Sequence, residues 1–460
     1  GGPAGMAAAW QLREKDIVLL ESHDRLGGRL KSLPRGDYWL NFGAHLFPAP
    51  GSYVRRILDD LGLPTVDVPG SKTALSFRGK VYSSPRAESY PFTLPLSLSE
   101  RILLVKAGLT VRLKVRSWFA ATRDRAGESE ADRRLRLGRF EKDRTFAQLL
   151  GRLPEPVAAI FRTAARRVPG EIGEMSAGAG ISIFAGNWAG KASGSPVNLA
   201  GGSGRYGEAV RRRLGERVIL GATVTSIEPD GDRTLVHYDT AEGSVSISAA
   251  QVIVATPAPA ARGLVRGLPV AVDRALESVA YEPFVSMAVL TDESGPMPWD
   301  DIYAILTPDM AFNMLFNHAN PLRAGPTRKP GGSLMCYAGA ELARDLLDLP
   351  EDEIEKRFTE DLYRVYPQLR SIITETIAQK WPHGNWYQTP GADFGAMLAY
   401  NASPTTAIHF AGDYFAPLSG SIEDATKSGV ETAHLVAAAL DRNQAVAASA
   451  ARAEDVSDGN

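Results

Sequence analysis

Cysteine is almost absent. Cys336 is the only one in 460 residues, so an intramolecular disulfide is impossible, which fits a reducing, cytoplasmic compartment. One thiol and seven scattered histidines argue against a zinc cluster of the Cys/His type. An excess of charge of one sign is missing too. The net charge is -2, with acidic and basic groups spread along most of the chain, and a nucleic-acid binder would carry a strongly basic footprint. No apolar run approaches the ~20 residues that span a bilayer. What remains is an ordinary globular composition, 44% hydrophobic and 23% charged. The chain is long enough for two domains with a large shared core.

Residues 1 to about 45 alternate a small-residue turn, a helix near 7–12, a strand over 17–20 and a second turn. Helical spacing returns over about 50–65, and 74–82 reads as a hairpin turning on Arg78-Gly79-Lys80. From about 95 to 195 the pattern is mostly helical. Strands follow at 218–220, 224–227, 235–238 and 252–255. The stretch 270–400 mixes strands such as 285–289 with a helix over 351–366. From 408 to about 440 come a strand, a glycine-bearing turn and an alanine-rich helix, and 443–460 reads as a frayed polar tail. Nucleotide-type segments therefore sit at the start, middle and end. The expected fold is α/β: a Rossmann-like cofactor domain made of 1–75, 200–268 and 400–442, interleaved with a substrate domain of mixed sheet and helical insertion over 76–199 and 269–399.

The opening residues Gly1-Gly2-Pro3-Ala4-Gly5 match the later part of a G-x-G-x-x-G turn. Its glycines serve a tight bend, close approach of backbone to a pyrophosphate, and helix–strand packing. The first glycine and its strand lie upstream of Gly1 in this reading, and a chain beginning at Gly1 would hold a dinucleotide poorly. The following helix offers free N–H groups and a positive dipole end to phosphate. Glu21 ends the next apolar strand, about 20 residues on, where a carboxylate accepts ribose hydroxyls, with Ser22 beside it. In Arg25-Leu26-Gly27-Gly28-Arg29, adjacent glycines between arginines suit phosphate contact.

The run from Glu21 through Arg25 to Gly27-Gly28-Arg29 resembles the flavin-containing amine oxidase superfamily, which takes in monoamine and polyamine oxidases, protoporphyrinogen oxidase and phytoene-type desaturases. Three further segments carry the resemblance. Gly36 to Gly43-Ala44-His45 is similar to the family's flavin-facing turn, with Asn41 where aspartate is commoner. Val252-Ile253-Val254-Ala255-Thr256-Pro257 is similar to the strand and turn that return to the FAD domain. Phe410-Ala411-Gly412-Asp413-Tyr414 with Gly420-Ser421-Ile422-Glu423-Asp424-Ala425 resembles the C-terminal motif. The resemblance implies an FAD-dependent oxidoreductase that transfers a hydride from an organic substrate to flavin N5. It places Asp413 on a ribityl hydroxyl, the backbone of Val224 near the adenine, and the helix start near Ile422 at the flavin pyrimidine. There a helix N-terminus stabilises the charge of the reduced ring.

For the substrate side, Trp381-Pro382-His383-Gly384-Asn385-Trp386-Tyr387 is similar to the family's aromatic-rich strand. Trp386, Tyr387 and Tyr414 are expected as aromatic walls for an apolar or cationic small molecule. His45 is the histidine best placed to act as base or donor; His383 and His318 rank below it. Many amine oxidases of the family carry a lysine on a central strand near N5, yet 281–288 contains none. That moves weight from amine oxidation toward carbon–carbon desaturation. Cys336 sits in an apolar strand pattern, as a core residue does, so FAD is expected to be non-covalent. The basic run from Lys106 to Arg125 reads as a solvated helix face, with a membrane-surface helix as the alternative. A homodimer is compatible with the sequence. The alternative to an enzyme is a flavin-binding protein with a binding or assembly role, because fold does not fix activity.

Overall fold

In the computed structural model, which describes residues 1–457 apart from 70–72, 85, 169, 189–193 and 325–326, the chain opens with the helix Pro3–Gln11. Proline suits a first helical position, where its missing N–H has no partner to lose. The alanines after it make the helix thin, and every residue from Ala4 to Trp10 is buried.

Two parallel strand pairs flank this helix. Leu19–Glu21 pairs with Val218–Leu220, and Val252–Val254 pairs with Ile408–Phe410. Parallel pairing requires long crossovers, and the intervening sequence supplies them. The last helix, Ile422–Ser457, packs on the first through Ala4, Ala425, Ala8, Ala433 and Val436. A Cβ on Gly429 would stand 2.1 Å from the Ala4 carbonyl oxygen, so the two backbones touch. This helix corrects the frayed tail expected from 443. Alanine has the highest helix propensity, so an aperiodic alanine-rich stretch continues a helix already started.

The second layer is a seven-stranded mixed sheet. Its order is Ile373–Tyr387, Ala280–Thr291, Gly332–Gly339, Met314–Asn317, Ala304–Leu306, Thr73–Phe77 and Lys80–Ser84. The strand Gly332–Gly339 is buried along its whole length, and the Cys336 thiol is fully enclosed. The hairpin turn falls where its sequence put it: Phe77 pairs with Lys80, and Arg78 and Gly79 take φ of 50° and 76°, the left-handed pair of a two-residue turn.

Helices cover one end of this sheet. Leu98–Ala121 starts with a capping box from Ser97 and Glu100 and buries Leu104, Ala107, Val111 and Val115. Its opposite face leaves Leu98, Ile102, Leu109 and Leu113 exposed. The ladder Ser32–Arg35 with Tyr38–Asn41 and the strand Gly243–Ala249, which pairs with Arg233–Thr240, were not read from the sequence.

Candidate active site

The two glycine turns stand back to back. Gly27 N–H donates to the Gly1 carbonyl at 2.8 Å. Gly28, at φ +52°, would carry a Cβ 3.1 Å from Gly2 Cα, so only glycine fits this crossing without strain. No side chain caps the first helix at Gly2. The Ala4 and Gly5 amides, in its first turn, therefore lack intrahelical acceptors and point out with the positive dipole end. Glu21 lies at the end of its strand, where one carboxylate oxygen accepts from the His23 amide at 2.9 Å and the Ser22 hydroxyl at 3.3 Å. Its carbonyl holds the Ala222 amide at 2.9 Å, just before the strand that carries Val224. Arg25 is bound to its own loop, donating to the carbonyls of Gly28 at 2.8 Å and Leu30 at 3.0 Å. It braces the turn for which a phosphate contact was expected.

The loop from Phe42 to His45 is fastened from several sides. The Phe42 carbonyl accepts from Ser286 Oγ at 2.6 Å and Trp381 Nε1 at 2.7 Å. Ala44 N–H donates to the Arg29 carbonyl at 3.1 Å. A Cβ on Gly43 would fall 2.1 Å from that same carbonyl oxygen. Asn198 Nδ2 donates to the His45 carbonyl at 3.0 Å. His45 Nδ1 lies 2.8 Å from the Gly43 carbonyl, while its Nε2 is buried without a partner. Burial pulls the His45 pKa down to about 4, partly offset by the Gly43 hydrogen bond, so the ring is neutral near pH 7. It packs edge-on to Phe316 and His318, with centroids 4.7 Å and 4.6 Å away.

Asp413 organises the far corner. It is buried, pairs with Arg29 Nη2 at 2.9 Å and accepts the Tyr281 hydroxyl at 3.1 Å. Burial alone would lower the Arg29 pKa, but the Asp413 carboxylate outweighs it and raises the guanidinium above its usual value. Arg29 also donates to the Gly384 carbonyl.

These pieces enclose a cavity of about 290 Å³, at the small end of ligand pockets, which run ~300–1,000 Å³. One wall is Pro3, Arg29, Gly43, Ala44, His45 and Asp413, with Ser421, Ile422 and Ala425 from the start of the last helix. Two helix N-termini thus converge on it. The facing wall is Phe284, Phe316, Met335 and Tyr337 from the large sheet, together with Arg167. Ala255 packs against the first helix near Gly5. The Thr256 hydroxyl is buried without a partner, and Pro257 caps the next helix. A Cβ on Gly412 would meet the Tyr414 ring at 2.3 Å. The glycine turns, free helix amides and carboxylate-terminated strand fit a dinucleotide, and Gly43 lines the cavity with the place of its missing Cβ taken by the Arg29 carbonyl.

The expected aromatic walls lie elsewhere. Trp386 is fully buried, donates to the Asp413 carbonyl at 2.5 Å and meets Phe394 edge-on at 5.2 Å. Tyr387 reaches the Glu174 carboxylate at 3.0 Å. Tyr414 lines a separate cleft with Phe394 and Phe415, its hydroxyl unpartnered. The polar ends of Trp386 and Tyr387 are drawn to acceptors away from the cavity, and neighbouring Gly384 and Asn385 face the cavity instead. Trp381 stands behind Gly43 as a brace. The residues missed, Arg167, Phe284, Phe316, Met335 and Tyr337, come from four separated segments with no shared motif. Among the described residues no lysine lines the cavity, and Ser286, on the strand in question, is committed to the Phe42 carbonyl.

Fold and cavity together define a flavoprotein oxidoreductase. The chain belongs to the flavin-containing amine oxidoreductase family, whose model matches residues 3–437, and FAD is its cofactor. A probable flavin-containing monoamine oxidase A of Dictyostelium discoideum is 30% identical over 83 residues. That alignment covers 17% of this chain and 18% of the relative. Cyclohexylamine oxidase from Brevibacterium oxydans IH-35A superposes with a TM-score of 0.73 at 16% identity, covering 96% of this chain and 98% of that one. Wild-type putrescine oxidase bound to putrescine gives 0.71 at 17% identity, over 95% and 97%. At such identities the likeness speaks for the fold. None of the helices with described side chains is long and apolar enough to cross a membrane.

Proposed function

We propose that the protein is an FAD-dependent amine oxidase acting on a small organic amine. The carrying observation is the cavity in which two helix N-termini, the Gly43 turn and the Arg29–Asp413 pair meet an apolar wall. The family match supports amine oxidation over the carbon–carbon desaturation that the missing lysine suggested. FAD, held non-covalently, supplies a two-electron acceptor for the hydride from the amine-bearing carbon, leaving an imine that water hydrolyses to a carbonyl compound and ammonia.

In this reading the Ala4 and Gly5 amides take the pyrophosphate, Glu21 the ribose hydroxyls and Asp413 a ribityl hydroxyl. The amides at Ile422 and beyond face the pyrimidine edge. His45, neutral and with Nε2 free, donates or accepts one hydrogen bond at the substrate edge. Segments 1–75, 200–268 and 400–442 form the cofactor domain, and 76–199 with 269–399 the substrate domain. The cytoplasm suits its one buried thiol.

Anaerobic mixing of the FAD-loaded protein with a panel of amines tests the reading. Bleaching of the flavin, followed by hydrogen peroxide and ammonia on admitting air, is the expected result. A flavin that dithionite reduces but no amine does would favour the binding-protein alternative. The exposed Leu98, Ile102, Leu109 and Leu113 beside Lys106 and Arg116 favour a second contact, of the helix Leu98–Ala121 with an anionic lipid surface. Co-sedimentation with anionic vesicles that Leu109→Glu does not weaken would rule it out.

A further inference from the structure

Arg167 is a charged residue of the cavity that the proposed reaction leaves without a task. It follows the helix Glu155–Ala165 and belongs to the wall opposite the cofactor-side residues. Arg167 is an exposed residue that lines the cavity. Its hydrogen bond to protein is from Nη2 to the Ile183 carbonyl at 2.9 Å, which is neutral.

The carboxylates of this corner are already engaged. Arg166 holds Glu171 at 2.7 Å and Glu341 at 2.5 Å. Arg344 lies 3.6 Å from Glu174 and 3.4 Å from Glu282, and Tyr387 donates to Glu174. Across the cavity Asp413 belongs to Arg29. Burial lowers the Arg167 pKa, and the one group acting the other way is the neutral Tyr337 hydroxyl. Among the described residues Arg167 is therefore a cation with no carboxylate partner, at the edge of a largely apolar chamber. A guanidinium fork matches a carboxylate in two-point contact. A simple protonated amine entering the same chamber would meet repulsion.

We propose that Arg167 is the carboxylate-binding residue of the substrate pocket, and that the substrate is an amine that also bears a carboxylate on an apolar body. This rests on the amine-oxidase reading above and narrows it. The apolar body lies against Phe284, Phe316 and Met335, with the carboxylate toward Arg167 and Tyr337. Diamines, whose second charge is positive, are excluded as good substrates.

The test uses the FAD-loaded protein and two matched probes, phenylalanine and 2-phenylethylamine, which differ by the carboxylate alone. A third probe, 3-phenylpropionate, carries the carboxylate without the amine, and its binding is read by the flavin absorbance shift and by thermal shift. In the parent, phenylalanine is expected to reduce the flavin at least about tenfold more efficiently than 2-phenylethylamine, with 3-phenylpropionate competing. Arg167→Gln should raise KM for phenylalanine by about tenfold to a hundredfold, the range of a lost charge-assisted pair. It should leave 2-phenylethylamine unchanged or improved and abolish the 3-phenylpropionate shifts. Arg167→Lys keeps the charge without the fork, so it should retain part of the preference; if Arg167→Gln fails to fold, this variant carries the comparison. Amine turnover with no preference for the carboxylate and no response to Arg167→Gln would overturn the assignment and leave the amine-oxidase reading standing. Binding of 3-phenylpropionate that depends on Arg167, with no amine reducing the flavin, would uphold the assignment and overturn that reading.

Discussion

Replacing Gly429 by alanine tests the contact on which the cofactor side is built. In a helix interior, glycine to alanine gains about 1 kcal/mol from propensity alone. At Gly429 that gain meets a steric cost. The new Cβ would lie 2.1 Å from the Ala4 oxygen and 2.9 Å from its carbonyl carbon. Relief requires the first helix to retreat until the separation reaches the 3.4 Å where ordinary contact begins. The neighbour is backbone, so no rotamer change helps, and overpacking of this kind costs roughly 1–3 kcal/mol or more. A net loss of up to about 2 kcal/mol is expected, against the gain of about 1 kcal/mol that propensity alone would give. The retreat also moves the Ala4 and Gly5 amides, so FAD affinity should fall with stability. Gly108 is the control. It lies inside the helix Leu98–Ala121, and a Cβ there meets nothing within 4 Å, so Gly108→Ala should stabilise by up to about 1 kcal/mol. Urea midpoints and FAD titration by flavin fluorescence read both variants. Equal stabilisation by the two substitutions, with FAD affinity intact in Gly429→Ala, would refute the backbone contact.

Three further outcomes follow from the site. His45 titrates at about 4 in the fold against ~6.5 unfolded. The unfolded chain therefore takes up the proton first as pH falls, and stability drops between pH 6.5 and 4, by about 2 kcal/mol at pH 5 from this group. His45→Gln should flatten that slope in a pH series of denaturation curves, and an unchanged slope would show that the ring is not held neutral. Trp381→Phe should cost about 1 kcal/mol, and Trp381→Phe combined with Ser286→Ala more than the sum of the two, because the pair leaves the buried Phe42 carbonyl bare; additivity in a double-mutant cycle would contradict the shared acceptor. Glu423 accepts the Tyr53 and Val54 amides at 2.8 Å and 3.0 Å, at the start of the helix Tyr53–Asp60, so Glu423→Gln should destabilise by roughly 0.5–1 kcal/mol through the N-terminus of that helix, less so in high salt.

The elements were legible where local chemistry decides them. Alanine after Pro3, the Arg78-Gly79 turn and the helix Glu351–Val365 are set by residues a few places apart. The cofactor side was legible because its glycines and acids are confined to short motifs with fixed jobs. The substrate side was not. Phe316, Tyr337 and Arg167 face one another only after the large sheet and the helical segment have closed, and no spacing in the chain encodes that meeting. The strand carrying Trp386 and Tyr387 was found, but which of its side chains face inward depends on partners as distant as Glu174 and Asp413. The helix past residue 443 escaped for the opposite reason: propensity alone continues it, without the apolar periodicity that marks a packed face.

The sealed position of Cys336, at the middle of a strand buried from end to end, has a practical side. The folded protein offers thiol reagents no native target, so any cysteine placed on its surface would be the sole point of attachment. Dyes or spin labels set on the exposed flank of Leu98–Ala121 and near Arg167 would then report distances and motions in the working enzyme against a silent background.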